Sequence, residues 1–408
     1  MPTLLSVNSY HYRRGGSDVV YLDHAQLMES EGWSNAFFSM HYPKNDETPW
    51  SKYFVKELEF GNSYSFKDKV VMAAKAVYSW EAQSQLKRLL NDHKIDVAHL
   101  HCIYHHLSPS ILPVLSKAGI PTVMTAHDLK IACPAYKMLN HTGVCERCKD
   151  GSVINVVKHR CIRDSLGASV IVAVESGLQR HFEMYKRHLS KVVVPSRFFL
   201  EKFVEWGWSR DKFVYIPNYV DAGRFEPVFD PGSYFLYFGR LAPEKGVPTL
   251  IKAAVKAGVS LKIAGTGPLE AELKAIAAAS AHPEKIEFVG FKSGDSLHQL
   301  IQQSRAVVLP SEWYENAPMS VLESFAFGKP VIGASMGGIP ELVNSETGWV
   351  FPSGDADALA DLLASVEATP SESLHGKGRA ARDHVASHFN RQSYLDATLK
   401  LYADLGVV

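Results

Sequence analysis

Short apolar runs alternate with helix-period segments along most of the chain, and this alternation limits the possible folds more than any other feature. "TLLSV" precedes "SDVVYLDHAQLMESEGW". "DVAHLH" is followed by "LSPSILPVLSKAG" and then "PTVMTAHD"; "VIVAV" leads into "ESGLQRHFEMYKRHL" and then "KVVVPS". A strand covered on both faces needs no polar alternation, so the pattern predicts a parallel sheet between two layers of helices. The pattern breaks over residues 216–233, which hold three prolines and no periodicity. It then restarts: "YFLYFG" before "GVPTLIKAAVKAG", "SLKIAG" before "PLEAELKAIAAASA", "IEFVG" before "SGDSLHQLIQQS", and "WVFP" before "DADALADLLASV". Two doubly wound, Rossmann-like α/β domains are expected, 1–215 and 216–390. The last helix, within 391–408, lies far from the linker in sequence and is free to pack back on the first domain.

Ligands of open parallel sheets bind beyond the carboxyl ends of the strands. Two such domains facing each other would form a cleft, so residues at strand ends are the candidates for chemistry. "GRLAPEKG" follows the strand "YFLYF" and carries Arg240 and Lys245 in one strand-to-helix loop. Arg offers a two-pronged donor and Lys a compact charge, a pair suited to a diphosphate. "IAGTGPL" follows the next strand, where Gly265 and Gly267 would let backbone approach a ring or a phosphate; such glycines serve tight turns equally well. "YRRGGSDVV" sets Gly15 and Gly16 before a helix, without the third glycine of a dinucleotide fingerprint. "TAHDLK" puts His127 and Asp128 at another strand end.

The stretch "PSEWYENAPMSVLESFAFGKP" has two glutamates eight apart, Glu315 and Glu323. Pro318 suits a first helical turn. The N–H groups around Ala317, Met319 and Ser320, beside Asn316, would then face a ligand's phosphate or sugar oxygen. Glu323, inside the helix, leans back toward the N-terminus, so both carboxylates can reach one ligand. Capping explains Glu315 alone. Asp355 and Asp357 open "DADALADLLASV" and read as a cap rather than a metal site.

Glu315 and Glu323, Arg240 with Lys245, the glycines at 15–16 and the His127–Asp128 pair resemble retaining glycosyltransferase family 4, most specifically over 236–345. The resemblance implies a GT-B fold and a nucleotide-diphosphate sugar donor, a UDP- or GDP-sugar. It also implies retention at the anomeric carbon with no catalytic metal. By the same likeness the first domain would serve the acceptor and the second the donor. Glu315 would contact the donor sugar and Glu323 the ribose; Arg240 and Lys245 would hold the diphosphate. Gly15, Gly16 and His127 would line the first-domain side near the sugar. The acceptor would be a glycan or a lipid-linked glycan of cell-surface or exopolysaccharide synthesis. Two rivals stand beside this reading: a GT-B phosphorylase using free phosphate, and a non-catalytic sugar-nucleotide binding protein.

Charge bears on partners. Formal net charge is zero, yet residues 1–212 hold 27 Lys and Arg against 21 Asp and Glu, and 13 of the 18 histidines. A basic half suits an anionic partner such as a membrane face, and uneven surface charge is the plainer reading; no nucleic acid partner is expected. The start, "MPTLLSVNSYHYRRGG", is too short in its apolar part for a signal peptide. No segment approaches the roughly 18 apolar residues of a span. The expected location is cytoplasmic, with peripheral contact at the inner membrane face. Four of the five cysteines, Cys133, Cys145, Cys148 and Cys161, fall within 29 residues around "CERC". That spacing suits a structural zinc site, while free thiols or a disulfide remain open; Cys102 stands apart.

Overall fold

The structure is a computed structural model that describes residues 1–57, 75 and 77–407. The chain divides into two units, Met1–Ile216 with Leu395–Val408, and Pro217–Tyr394.

The first unit is built on six parallel strands: β1 (Thr3–Val7), β2 (Ser34–Phe38), β3 (Val97–Leu100), β4 (Thr122–Thr125), β5 (Lys191–Val194) and β6 (Phe213–Tyr215). Their order is β2-β1-β3-β4-β5-β6. The second has β7 (Phe235–Phe238), β8 (Leu261–Ala264), β9 (Ile286–Gly290), β10 (Ala306–Leu309), β11 (Val331–Ala334) and β12 (Gly348–Phe351), in the order β9-β8-β7-β10-β11-β12. The central strands are apolar throughout because helices cover both faces: Leu4, Leu5, Val97, Val123 and Val192 are fully buried, as are Leu236, Leu261, Ala306 and Val331. Each such Leu or Val side chain contributes about 1.5–3 kcal/mol relative to exposure.

Sheet order decides where ligands can sit. In the second unit the chain runs outward through β8 and β9, then returns to the other side of β7 as β10. Ala306 pairs with Phe235 and Val307 with Leu236, so the ends Phe238 and Leu309 are level and their loops leave side by side. In the first unit the reversal lies between β1 and β3.

One predicted strand is corrected. "VIVAV", 170–174, lies inside the helix Leu166–His181. Ser165 caps that helix by accepting from the Ala168 N–H, which fixes a helical start at Leu166, four residues before the β-branched run; the following strand is "KVVV" of β5. The strands β2, β6 and β11 carry no isolated apolar run as distinct as the others. Asp355 is the N-cap of Ala356–Glu367, accepting from the N–H groups of Asp357 and Ala358.

The unit boundary falls within the helix Arg391–Asp404. Its later part is fixed to the first unit by Tyr402, fully buried, whose hydroxyl lies 2.9 Å from His24 Nε2 and 2.7 Å from His99 Nδ1.

Candidate functional site

Within the second unit the loops after β7 and β10 bring Lys245 and Glu315 together. Lys245 Nζ lies 2.6 Å from Glu315 Oε1, and the Ser311 hydroxyl donates to the same oxygen at 2.6 Å. Burial by itself pushes the Glu315 carboxyl up; the Lys245 ammonium and the Ser311 hydrogen bond outweigh it and hold the group below its ordinary value. The ammonium also stands 5.1 Å over the Trp313 ring. A second tie joins the loops: the Glu312 N–H donates to the Glu244 carbonyl at 2.9 Å. Arg240 is exposed at the start of its loop, and its guanidinium has no ion-pair or hydrogen-bond partner among the described residues. It is a cation held at the strand end with its donors unused.

The loop glycines have a packing explanation. A Cβ on Gly265 would lie 1.9 Å from the Gly239 carbonyl oxygen, and one on Gly267 2.2 Å from that of Leu241. The loops after β7 and β8 are laced at that distance: the Leu241 N–H donates to Thr266 and the Leu269 N–H to Leu241. Close approach of backbone to backbone therefore requires both glycines, whether or not a ligand comes near.

Pro318 is the N-cap of the helix Met319–Ala326, one position earlier than the first helical turn predicted for it. Its φ of −66° fits either place. No side chain caps this helix, so the N–H groups of Met319 and Ser320 remain as donors at a positive helix end. Ala317 is buried, its carbonyl accepting from Asn218 Nδ2 at 3.1 Å. Glu323 lies in the second turn, half-buried, with no partner for its carboxyl among the described residues; burial raises it to about 7. The two glutamates thus differ in kind, one ionised and held by a cation, one poised near neutrality and unpartnered.

The sequence reading passed over Gly337. A Cβ there would fall 2.3 Å from the Glu315 carbonyl oxygen, and the neighbouring Gly338 N–H donates to that oxygen at 2.8 Å. The loop after β11 thereby fixes the backbone that carries Glu315. The pair "GG" after "VIGASM" was the available signal.

In the first unit Gly15 and Gly16 are exposed at the start of the helix Gly16–Ser30. Gly15 has extended backbone that any residue adopts, and nothing lies within 4 Å of a Cβ on Gly16. Neither conformation nor crowding demands them, and no side chain caps this helix end. Asp18 closes the first turn from below, accepting from Asn8 Nδ2 at 2.8 Å.

His127 follows β4. Its Nε2 lies 2.8 Å from His101 Nδ1, and the rings are stacked at 5.1 Å. His101 in turn stacks on His99 at 5.0 Å. Burial lowers His127 to about 4, so it is neutral at pH 7. This column of histidines, running to Tyr402, was not anticipated; His99 and His101 were separately visible only as part of "DVAHLH".

The four cysteines of the expected zinc site are free thiols. Among the described residues no group of three or more His, Cys, Asp or Glu side chains is arranged to hold a metal ion, and all five cysteines are free. Cys148 is buried against Val156, Val172 and Cys161; burial raises its thiol, and raises those of Cys133 and Cys161 to about 11. Protonated thiols pack as small apolar groups. Cys145 is held by its backbone N–H, which donates to Met138 at 2.7 Å.

Comparison with known proteins agrees with this layout. Residues 14–224 match the family described as Glycosyltransferase Family 4, and residues 223–384 match Glycosyl transferases group 1. A relative from Escherichia coli K12 named for colanic acid biosynthesis is 30% identical over 201 residues, 46% of this chain and 50% of the relative. The chain thus spans about half the length of that relative. The structure of sucrose-phosphate synthase from Thermosynechococcus elongatus is similar with a TM-score of 0.72 over 99% of both chains, at 18% identity. That of Anabaena HepE in complex with UDP and glucose gives 0.67 over the whole of both chains at 16% identity. These likenesses are of fold, and the fold is GT-B.

Proposed function

Because the chain belongs to glycosyltransferase family 4, we propose that it is a retaining sugar transferase: it takes a hexose from a UDP- or GDP-sugar and passes it to a glycan or lipid-linked acceptor. The reading is supported above all by the Lys245–Glu315 pair at the switch point of the second sheet. The relative named for colanic acid biosynthesis favours a cell-surface or exopolysaccharide product, and the fold likeness to a UDP-bound protein favours UDP.

Each residue has a role that follows from its charge. Cleaving the bond between anomeric carbon and phosphate oxygen leaves the electron pair on the diphosphate. Lys245, Arg240 and the Met319 and Ser320 N–H groups stabilise that charge as it grows, more than they stabilise the intact donor. Two fixed cations provide the positive charge that a divalent ion supplies in other transferases. Glu315 stays ionised beside the sugar, where oxocarbenium-like positive charge develops. In the empty protein it also holds Lys245 in position. Glu323 accepts from the ribose hydroxyls, and bound hydroxyls then supply the partners its carboxyl lacks. Asn316 and Ala317 shape the turn between the two. Gly15, Gly16 and the neutral His127 line the acceptor-side unit, where open backbone and an uncharged ring leave room for sugar.

A panel of nucleotide sugars screened by thermal shift tests this reading, since a donor at a hundred times its Kd adds about 2.7 kcal/mol to stability. One UDP- or GDP-hexose should raise the melting temperature by several degrees. The anomeric configuration of the product, read by NMR, should match that of the donor. No stabilisation by any sugar nucleotide would overturn it, and release of sugar phosphate that depends on free phosphate would favour the phosphorylase.

A further inference from the structure

The helix Leu166–His181 is inside out. Its buried face carries Ser169, Glu175, Ser176 and Gln179 beside only Val172 and Ala173. Its exposed face is a single ridge with four-residue spacing: Leu166, Val170, Val174 and Leu178, continued by Phe182 at the C-cap. Each of these five side chains is between 42% and 54% exposed. Four-residue rows run nearly along a helix axis, so the ridge extends about 24 Å at 1.5 Å per residue. Ile154, 55% exposed, lies on the segment that leads into it.

The buried face is polar because it has been given partners. Lys130 Nζ lies 3.0 Å from Glu175 Oε2, His105 Nδ1 lies 3.3 Å from the same oxygen, and Gln179 donates to Glu175 Oε1 at 2.9 Å. The helix is therefore fixed in this orientation by a satisfied network, and the apolar ridge is what the fold turns outward. A continuous exposed apolar ridge on a folded protein marks an interaction surface.

Charge identifies the occupant. Exposed Lys158, Arg160 and Arg163 precede the helix; Arg180 lies in its last turn, donating to the Cys148 and Ala132 carbonyls, and exposed Lys186 and Arg187 follow it. Only Asp164 and Glu183 oppose them among exposed residues of 158–187. Between 166 and 179 the sole charged residue is the buried Glu175. Three cations before a helix N-terminus oppose the helix dipole, so the fold does not place them there for its own stability. Two copies of the chain pairing along this ridge, parallel or antiparallel, would set basic end against basic end. An apolar strip with cations at both ends matches a lipid surface carrying negative headgroups.

We propose that the Leu166–His181 helix lies on an anionic lipid bilayer, its ridge seated among the acyl chains and its basic ends against the headgroups. Nothing in this rests on the sugar-transfer reading. The docking is peripheral: no helix among the described residues is long and apolar enough to cross a membrane.

Co-sedimentation of the full chain with vesicles is the test. Vesicles of phosphatidylcholine mixed with phosphatidylglycerol should carry the protein down at low salt, with binding that weakens as salt is added; phosphatidylcholine alone should carry down far less. The pair V174E and L178E should lower partitioning about tenfold or more by placing charge on the ridge. The pair R160E and R163E, outside the helix, should do the same through the headgroups. Both should keep the parent's melting temperature in buffer. Failure to bind either vesicle overturns the proposal. So does equal binding to neutral vesicles that R160E and R163E leave unchanged. A dimer in sedimentation velocity that V174E and L178E dissociate, without vesicle binding, would make the ridge a self-interface and overturn it too.

Discussion

Lys245 and Arg240 share a loop but stand in different surroundings, and their removal should differ accordingly. Lys245 is paired with the buried Glu315, whereas Arg240 is exposed and has no partner among the described residues. On the proposed mechanism Lys245→Ala and Arg240→Ala each lower turnover about a hundredfold, the usual loss for one charge stabiliser. Only Lys245→Ala should also destabilise the second unit, by about 2 kcal/mol, because it strands a buried carboxylate. Near-normal transfer in the double variant would remove the diphosphate role. Glu323 offers a sharper separation of folding from binding. Its carboxyl is raised to about 7, so the stability it contributes is full below its unfolded value and is lost as pH rises through about 7. Glu323→Gln should therefore stabilise the empty protein by about 2 kcal/mol at pH 8 and hardly at pH 5. The same variant should weaken donor binding and shrink the shift in melting temperature given by the donor. A lower melting temperature at pH 8 would mean that the carboxylate has a partner after all. Both glutamates and both cations were legible in the sequence because strand ends are. Gly337 was not, because its constraint is a contact with a carbonyl twenty-two residues away in sequence.

At the scale of elements, the same logic explains which segments misread. "KVVV" and "AVVL" are strands because both faces are covered, and their apolar runs say so. "VIVAV" has the same composition yet is helical, since Ser165 caps it and Glu175 and Gln179 bind on the inner face. Local composition cannot reveal that an apolar face is turned outward. The "CERC" spacing suggests a metal, and Cys148 of that stretch packs against Val156 and Val172 from other segments. The terminal helix makes a testable case. Its hold on the first unit passes through the Tyr402 hydroxyl, which serves two buried imidazoles, His24 and His99. Tyr402→Phe keeps the ring and removes the hydroxyl, leaving both nitrogens without that partner in a dry site. A loss of about 1–3 kcal/mol is expected, with faster amide exchange over 395–407 than elsewhere in the first unit. Unchanged exchange there would show that apolar contacts, such as those of Leu395 and Leu401, hold the segment by themselves.

Over the whole molecule, the two units should respond to acid unequally. The first holds five histidines neutral: His24 and His127 are lowered to about 4 and His106 to about 3, and His99 and His101 are driven well down by burial and by neighbouring histidines. A histidine whose folded value lies below its unfolded one contributes stability that is full above about 6.5 and is lost as pH falls toward the folded value. Each such group costs about 1.4 kcal/mol per pH unit once its unfolded form is protonated, so the five together cost several kcal/mol between pH 6.5 and 5. Domain stabilities are only about 5–15 kcal/mol. Asp18 and Asp128, raised by burial, oppose this loss but are outnumbered. In the second unit one half-buried histidine, His384, is lowered, while Glu323 gains stability as pH falls through about 7. Scanning calorimetry from pH 7.5 to about 5 should therefore show one transition falling steeply and another holding nearly still. Amide exchange at the lower pH should reveal residues 77–216 losing protection before 217–394. The reverse order would mean that the histidine column is not what links the first unit's stability to pH.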